Sequence, residues 1–127
     1  MNILIIEPDR VLAKTYAETL TGAGYHVVAA ATAQSGIQAA DAMQPDIVLL
    51  ELQLVEHSGI EFLYEFRSYP EWQGLPVLIH SQVPPTEFTD SQQLLKSELG
   101  VRAFLYKPHT SLRELLAHVK EHLPVQA

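Results

Sequence analysis

Five short apolar runs punctuate the chain: Ile3 to Ile6, His26 to Ala29, Ile47 to Leu50, Pro76 to Ile79 and Ala103 to Tyr106. Each is too short for a helix. The unbroken ones, Ile3-Leu4-Ile5-Ile6 and Ile47-Val48-Leu49-Leu50, suit strands covered on both faces. Between the runs, apolar residues recur at helical spacing. Leu12, Tyr16, Leu20 and Ala23 form the first such set, and Ala33, Ile37 and Ala40 the second. Ile60, Leu63 and Phe66 follow, then Leu95 and Leu99. Leu112, Leu115, Leu116, Val119 and Leu123 give the cleanest amphipathic stripe.

The helix ends are marked as well. Asp9, Thr32 and Ser58 stand as N-caps. Thr89-x-x-Gln92 and Ser111-x-x-Glu114 have the spacing of capping boxes. Gly24 and Gly100 are stop signals, the second helix halts before Pro45, and Pro124 closes the last one. The loop from Ser68 to Leu75 carries Pro70, Gly74 and the sole tryptophan, Trp72, which is expected to pack locally. Strand and helix alternate five times with connections too short for anything but crossovers. That pattern predicts an α/β fold, a doubly wound five-stranded parallel (βα)5 sheet with helices on both faces.

At 127 residues the chain reads as one domain, 1–127, able to bury roughly two-thirds of its unfolded surface. With no cysteine there is no disulfide framework, no thiolate metal site and no thiol nucleophile. A net charge of −7, with eight Lys and Arg spread along the chain, argues against nucleic acid as a partner. No stretch approaches the roughly 20 apolar residues of a membrane span. Ile3 to Ile6 is too short for a signal peptide. The expectation is a cytoplasmic domain with no membrane partner.

Open α/β sheets place their sites at the C-terminal edge of the strands. Glu7 and Asp9, Glu51, Ser81 and Lys107 all fall there. No G-x-G-x-x-G or phosphate-binding loop follows the first strand, so nucleotide binding has no support. His57-Ser58-Gly59 and His80-Ser81 lack the G-x-S-x-G frame of a hydrolase nucleophile. His118 and His122 lie four apart on the last helix. No third ligand is evident there, and they are expected to be ordinary surface histidines.

The strand ends carry a resemblance. Ile3-Leu4-Ile5-Ile6-Glu7-Pro8-Asp9, Gly24-Tyr25-x-Val27, Pro45-Asp46, Gly59, Pro76-Val77-Leu78-Ile79-x-Ser81 and Lys107-Pro108 occur in the order and spacing of response-regulator receiver domains of two-component systems. The chain resembles that family over nearly its full length. The resemblance implies the flavodoxin-like strand order 2-1-3-4-5. It also implies a site in which an acidic pair binds Mg²⁺ and an aspartate after the third strand accepts a phosphoryl group. A Ser/Thr and a Lys then hold the phosphate oxygens, roles matched by Ser81 and Lys107. Phe104 matches the aromatic residue that moves with the Ser/Thr.

Three positions depart from the family, the least consequential being Val55, which stands where the family commonly has proline. Glu51 stands where the aspartate belongs, and its extra methylene moves the carboxylate by about 1.5 Å. Pro8 replaces the second acid of the pair and brings no side-chain oxygen, whereas Mg²⁺ demands near-octahedral oxygen ligands. Any metal would therefore rest on Glu7, Glu51 and the Gln53 backbone, and no cofactor is expected. Asp9 is a second member of the acidic pocket, or else a helix cap. Glu51 is expected to reach Lys107 directly, near Ser81. The resulting expectation is an atypical, non-enzymatic receiver that signals by protein–protein contact. Its partners would be a histidine kinase, a downstream effector or a second copy, met through the fourth helix, fifth strand and fifth helix. The alternatives are a working phosphoacceptor with Mg²⁺-dependent autophosphotransfer, and a flavodoxin-like small-molecule binder.

Overall fold

A computed structural model describes residues 1–124. The strands are β1 (Asn2–Ile6), β2 (His26–Ala30), β3 (Ile47–Leu50), β4 (Val77–Ser81) and β5 (Val101–Tyr106). They form one parallel sheet in the order β2-β1-β3-β4-β5. The helices are α1 (Arg10–Gly22), α2 (Ala33–Met43), α3 (Gly59–Ser68), α4 (Thr89–Ser97) and α5 (Leu112–His122). The fold is α/β and doubly wound, as the alternation predicts.

Because side chains alternate across a strand, each buried strand feeds two cores. Ile3, Ile5, Ile47, Leu49 and Leu78 pack with Tyr16 and Leu20 of α1 and with Leu115 and Val119 of α5. Leu4, Ile6, Val48, Leu50, Val77 and Ile79 pack on the other face with Ala40, Phe62, Phe66 and Leu95 of α2, α3 and α4. β1, β3 and β4 are therefore buried on both sides, which explains their lack of polar alternation. Gly36 lets α2 lie close to β1, since a Cβ there would stand 2.8 Å from Ile6 Cδ1.

Several expected details change. Ala23 and Leu112 are exposed, so the apolar stripes of α1 and α5 are narrower than the periodicity implied. β4 runs on through His80 and Ser81, burying both. Trp72 ends a 3₁₀ turn, Pro70–Trp72, and stacks on Phe66 with ring centroids 4.8 Å apart. The Thr89-Gln92 capping box does not form. A 3₁₀ turn, Pro85–Phe88, runs straight into α4, so Thr89 is already helical and its hydroxyl donates to the Thr86 carbonyl. Gln92 donates instead to the Pro85 carbonyl.

The far end of α4 is braced by one side chain. Arg67 of α3 donates to the carbonyls of Leu99, Gly100 and Trp72. Gly100 holds a left-handed φ of 65°, and a Cβ there would stand 3.2 Å from an Arg67 nitrogen. Burial, with Arg102 nearby, lowers the Arg67 pKa.

Candidate functional site

Each site residue is set by the strand before it. Glu7 follows β1, and its amide donates to Ala30 of β2 at 2.9 Å. Glu51 follows β3, and its amide donates to Ile6 at 3.0 Å. Ser81 ends β4, and Lys107 follows β5. The parallel register brings these ends together, and all four side chains are buried.

Lys107 Nζ donates to Glu51 Oε1 at 2.7 Å and also to Glu7 Oε1. The expected contact between Glu51 and Lys107 is present. The Ser81 hydroxyl donates to Glu51 Oε2 and accepts from the Val83 amide at 3.0 Å. The Gln82 amide reaches Glu51 Oε1 at 3.0 Å, and the Gln53 amide reaches Oε2 at 3.1 Å. Glu51 thus accepts four hydrogen bonds, two on each oxygen, which is the full capacity of a carboxylate.

The electrostatics follow from these contacts. Burial alone would raise the Glu51 pKa, but the bonds from Lys107, Ser81 and the two amides outweigh it and lower the pKa. Burial works against the Lys107 ammonium too, yet its two carboxylate partners raise its pKa. His80 packs edge-on against Tyr16, with ring centroids 4.7 Å apart. Burial, with the Lys107 charge nearby, pushes its pKa down to about 4.

Other expected members of the site lie elsewhere. Asp9 does not join the acidic pocket. Its Oδ1 caps α1, accepting from the amides of Val11 and Leu12 at 2.9 and 3.1 Å, while its own amide donates to Glu7 Oε2. A carboxylate committed to the orphan amides of a helix start is not turned to the pocket. Phe104 sits on the α4 side, against Phe88 at 5.5 Å, with Lys96 Nζ 5.4 Å from its ring centroid. The reading of His118 and His122 as lacking a third ligand is corrected by Glu121, which joins them on α5. The spacing His-x-x-Glu-His was its signal.

Residues 3–120 match the family model of the response regulator receiver domain. The chain belongs to that family. Receiver domains are signalling modules of two-component systems. Curated relatives of this receiver domain include the KDP operon transcriptional regulatory protein KdpE of Escherichia coli, 29% identical over 119 residues, covering 94% of this chain and 49% of that protein. A transcriptional regulatory protein KdpE of Mycobacterium tuberculosis is 30% identical over 118 residues, covering 93% and 49%. The chain thus spans about half the length of these relatives. Among solved structures, chemotaxis protein CheY4 of Vibrio cholerae superposes with a TM-score of 0.83 at 20% identity, covering 96% of this chain and 98% of that one. The non-phosphorylated HemR receiver domain of Leptospira biflexa gives 0.80 at 26%, covering 99% and 98%. No helix among the described residues is long and apolar enough to cross a membrane.

Proposed function

We propose that this receiver domain signals through protein–protein contact without orthodox aspartyl phosphorylation, its site held closed by its own lysine. The supporting observation is the saturation of Glu51. By the resemblance, Glu51 stands where an aspartate would attack a phosphoryl donor, and attack needs a free lone pair. All four acceptor positions of its carboxylate are engaged by Lys107, Ser81 and the amides of Gln82 and Gln53.

The donors present do not fit the Mg²⁺ that the family implies. The Lys107 ammonium bridges Glu7 and Glu51, occupies an oxygen of each and offsets one of their two negative charges. Pro8 offers no side-chain oxygen, and Asp9 is engaged at the start of α1. The carboxylates that would hold the cation are thereby occupied and half neutralised from within.

The relatives are transcriptional regulators by name, and the partners of this domain are on this reading proteins of the same signalling chemistry, a histidine kinase or an effector. The contact face is α4, β5 and α5, where Lys96 and Arg102 are exposed and Leu94 is half-buried. The decisive experiment is incubation with acetyl phosphate and Mg²⁺, read by intact mass. Unchanged mass is expected. A stoichiometric gain of one phosphoryl group on Glu51 overturns the reading in favour of a working phosphoacceptor.

A further inference from the structure

The last turn of α5 carries three potential metal ligands. His118, Glu121 and His122 stand at i, i+3 and i+4, which brings them to one side of a helix. One ligand atom of each lies within 4.8 Å of the other two. His118 Nδ1 is shielded from water and has no hydrogen-bond partner among the described residues. It faces Glu121 Oε2 at 3.9 Å, too far for a direct hydrogen bond. Two ligands of one tetrahedral zinc, each about 2.0 to 2.2 Å from the metal, stand roughly 3.3 Å apart. A small side-chain rotation closes the difference.

Two further features favour a cation here. His122 is the final residue of α5, where the helix leaves its carbonyls unpaired and its dipole favours positive charge. Glu121 supplies a negative charge, and both imidazoles are good ligands for zinc-class ions when neutral. The donor set, two nitrogens and a carboxylate with no thiolate, suits Zn²⁺, Ni²⁺ or Cu²⁺ and not the oxygen-seeking Mg²⁺.

We propose that His118, Glu121 and His122 form a site for one divalent zinc-class ion, its remaining coordination positions filled by water. This site is independent of the Glu7–Lys107–Glu51 cluster and stands or falls apart from it. The test is a ZnCl₂ titration of the full chain, followed by calorimetry, by thermal melting and by the ring proton resonances of its histidines. One ion per chain is expected, with a higher melting temperature, and MgCl₂ at the same concentration should do neither. The resonances of His118 and His122 should move first, before those of His26, His57 and His109. Affinity should fall at least tenfold in His118→Ala and in His122→Gln, and less in Glu121→Gln. Absence of zinc binding, undiminished binding in a folded His118→Ala/His122→Gln double variant, or first movement of the other histidines would overturn the assignment. The resonance measurement uses the unaltered protein and decides the matter even if a variant fails to fold.

Discussion

Lys107 Nζ lies 2.7 Å from Glu51 Oε1 across the buried edge of the sheet, although the two residues are 56 positions apart in the chain. Glu7 is bound to the same ammonium, so one cation serves two buried carboxylates. Removing that cation leaves like charges together in a poorly solvated place. Lys107→Met should therefore destabilise the fold by about 3 to 5 kcal/mol at neutral pH. Glu51→Gln should cost less, because Lys107 keeps Glu7. Urea denaturation of both variants measures the difference. The sign with pH is fixed by Glu51. Its pKa is lowered in the folded state, so its stabilisation is complete above the ordinary carboxylate range and is lost as pH falls through the lowered value. In Lys107→Met that dependence should shrink or reverse.

His80 gives a second pH dependence, in a different window. The unfolded chain takes up a proton near pH 6.5, while the folded chain refuses it until about pH 4. Between those values the unfolded state binds more protons, so stability falls as pH is lowered. Such a shift amounts to about 3 kcal/mol by pH 4, of which about 2 kcal/mol is lost between pH 7 and 5. His80→Phe, which keeps an aromatic ring against Tyr16, should flatten the profile between pH 7 and 5. An unchanged profile in that variant would mean that another group carries the dependence.

Phosphorylation should be restorable only by changing two positions at once. Glu51→Asp withdraws the carboxylate by about one bond from its saturating partners, yet leaves no added metal ligand. Pro8→Asp supplies a carboxylate beside an acceptor whose lone pairs stay engaged. Each alone should gain little phosphate from acetyl phosphate and Mg²⁺. The double variant should gain clearly more than the sum, since nucleophile and metal ligand act as a unit. Intact mass reads the yield and circular dichroism checks the fold. A folded, inert double variant would place the obstacle in the surrounding geometry.

Arg67→Lys should be far from conservative. The guanidinium meets three carbonyls from a planar fork, and an ammonium cannot reproduce that geometry. Two of the carbonyls follow α4 and lack a helical partner. A loss of about 1 to 3 kcal/mol is expected from carbonyls left unsatisfied, measured as a lower denaturation midpoint.

Much of this was legible in the chain. Buried strands announced themselves because both faces are covered, and the family's strand order placed Glu7, Glu51, Ser81 and Lys107 at one edge. Capping signals succeeded where the backbone ahead of the helix is extended. Ser111, with φ −69° and ψ 164°, caps α5 as its spacing implies. Thr89 fails because the preceding 3₁₀ turn has already carried the chain into helical angles, φ −53° and ψ −42°. Spacing alone does not distinguish the two. The saturation of Glu51 was illegible for a related reason, since two of its four donors are backbone amides of Gln53 and Gln82, whose side-chain identities carry no signal. Asp9 had two chemically sound uses, and local cap geometry decided between them.

The Arg67 brace also governs which substitutions a population of such chains can accumulate. As far as folding is concerned, exposed positions of α4 such as Asp90 are free to drift, because the helix end is held by an outside residue that reads only main-chain oxygens. Arg67 and Gly100 are not free in that way. Any side chain at Gly100 meets both an unfavourable φ and the guanidinium itself, while a shorter cation at Arg67 strands the carbonyls. In a randomised library screened for folding, diversity should collect along α4, and these two positions should be retained together or lost together.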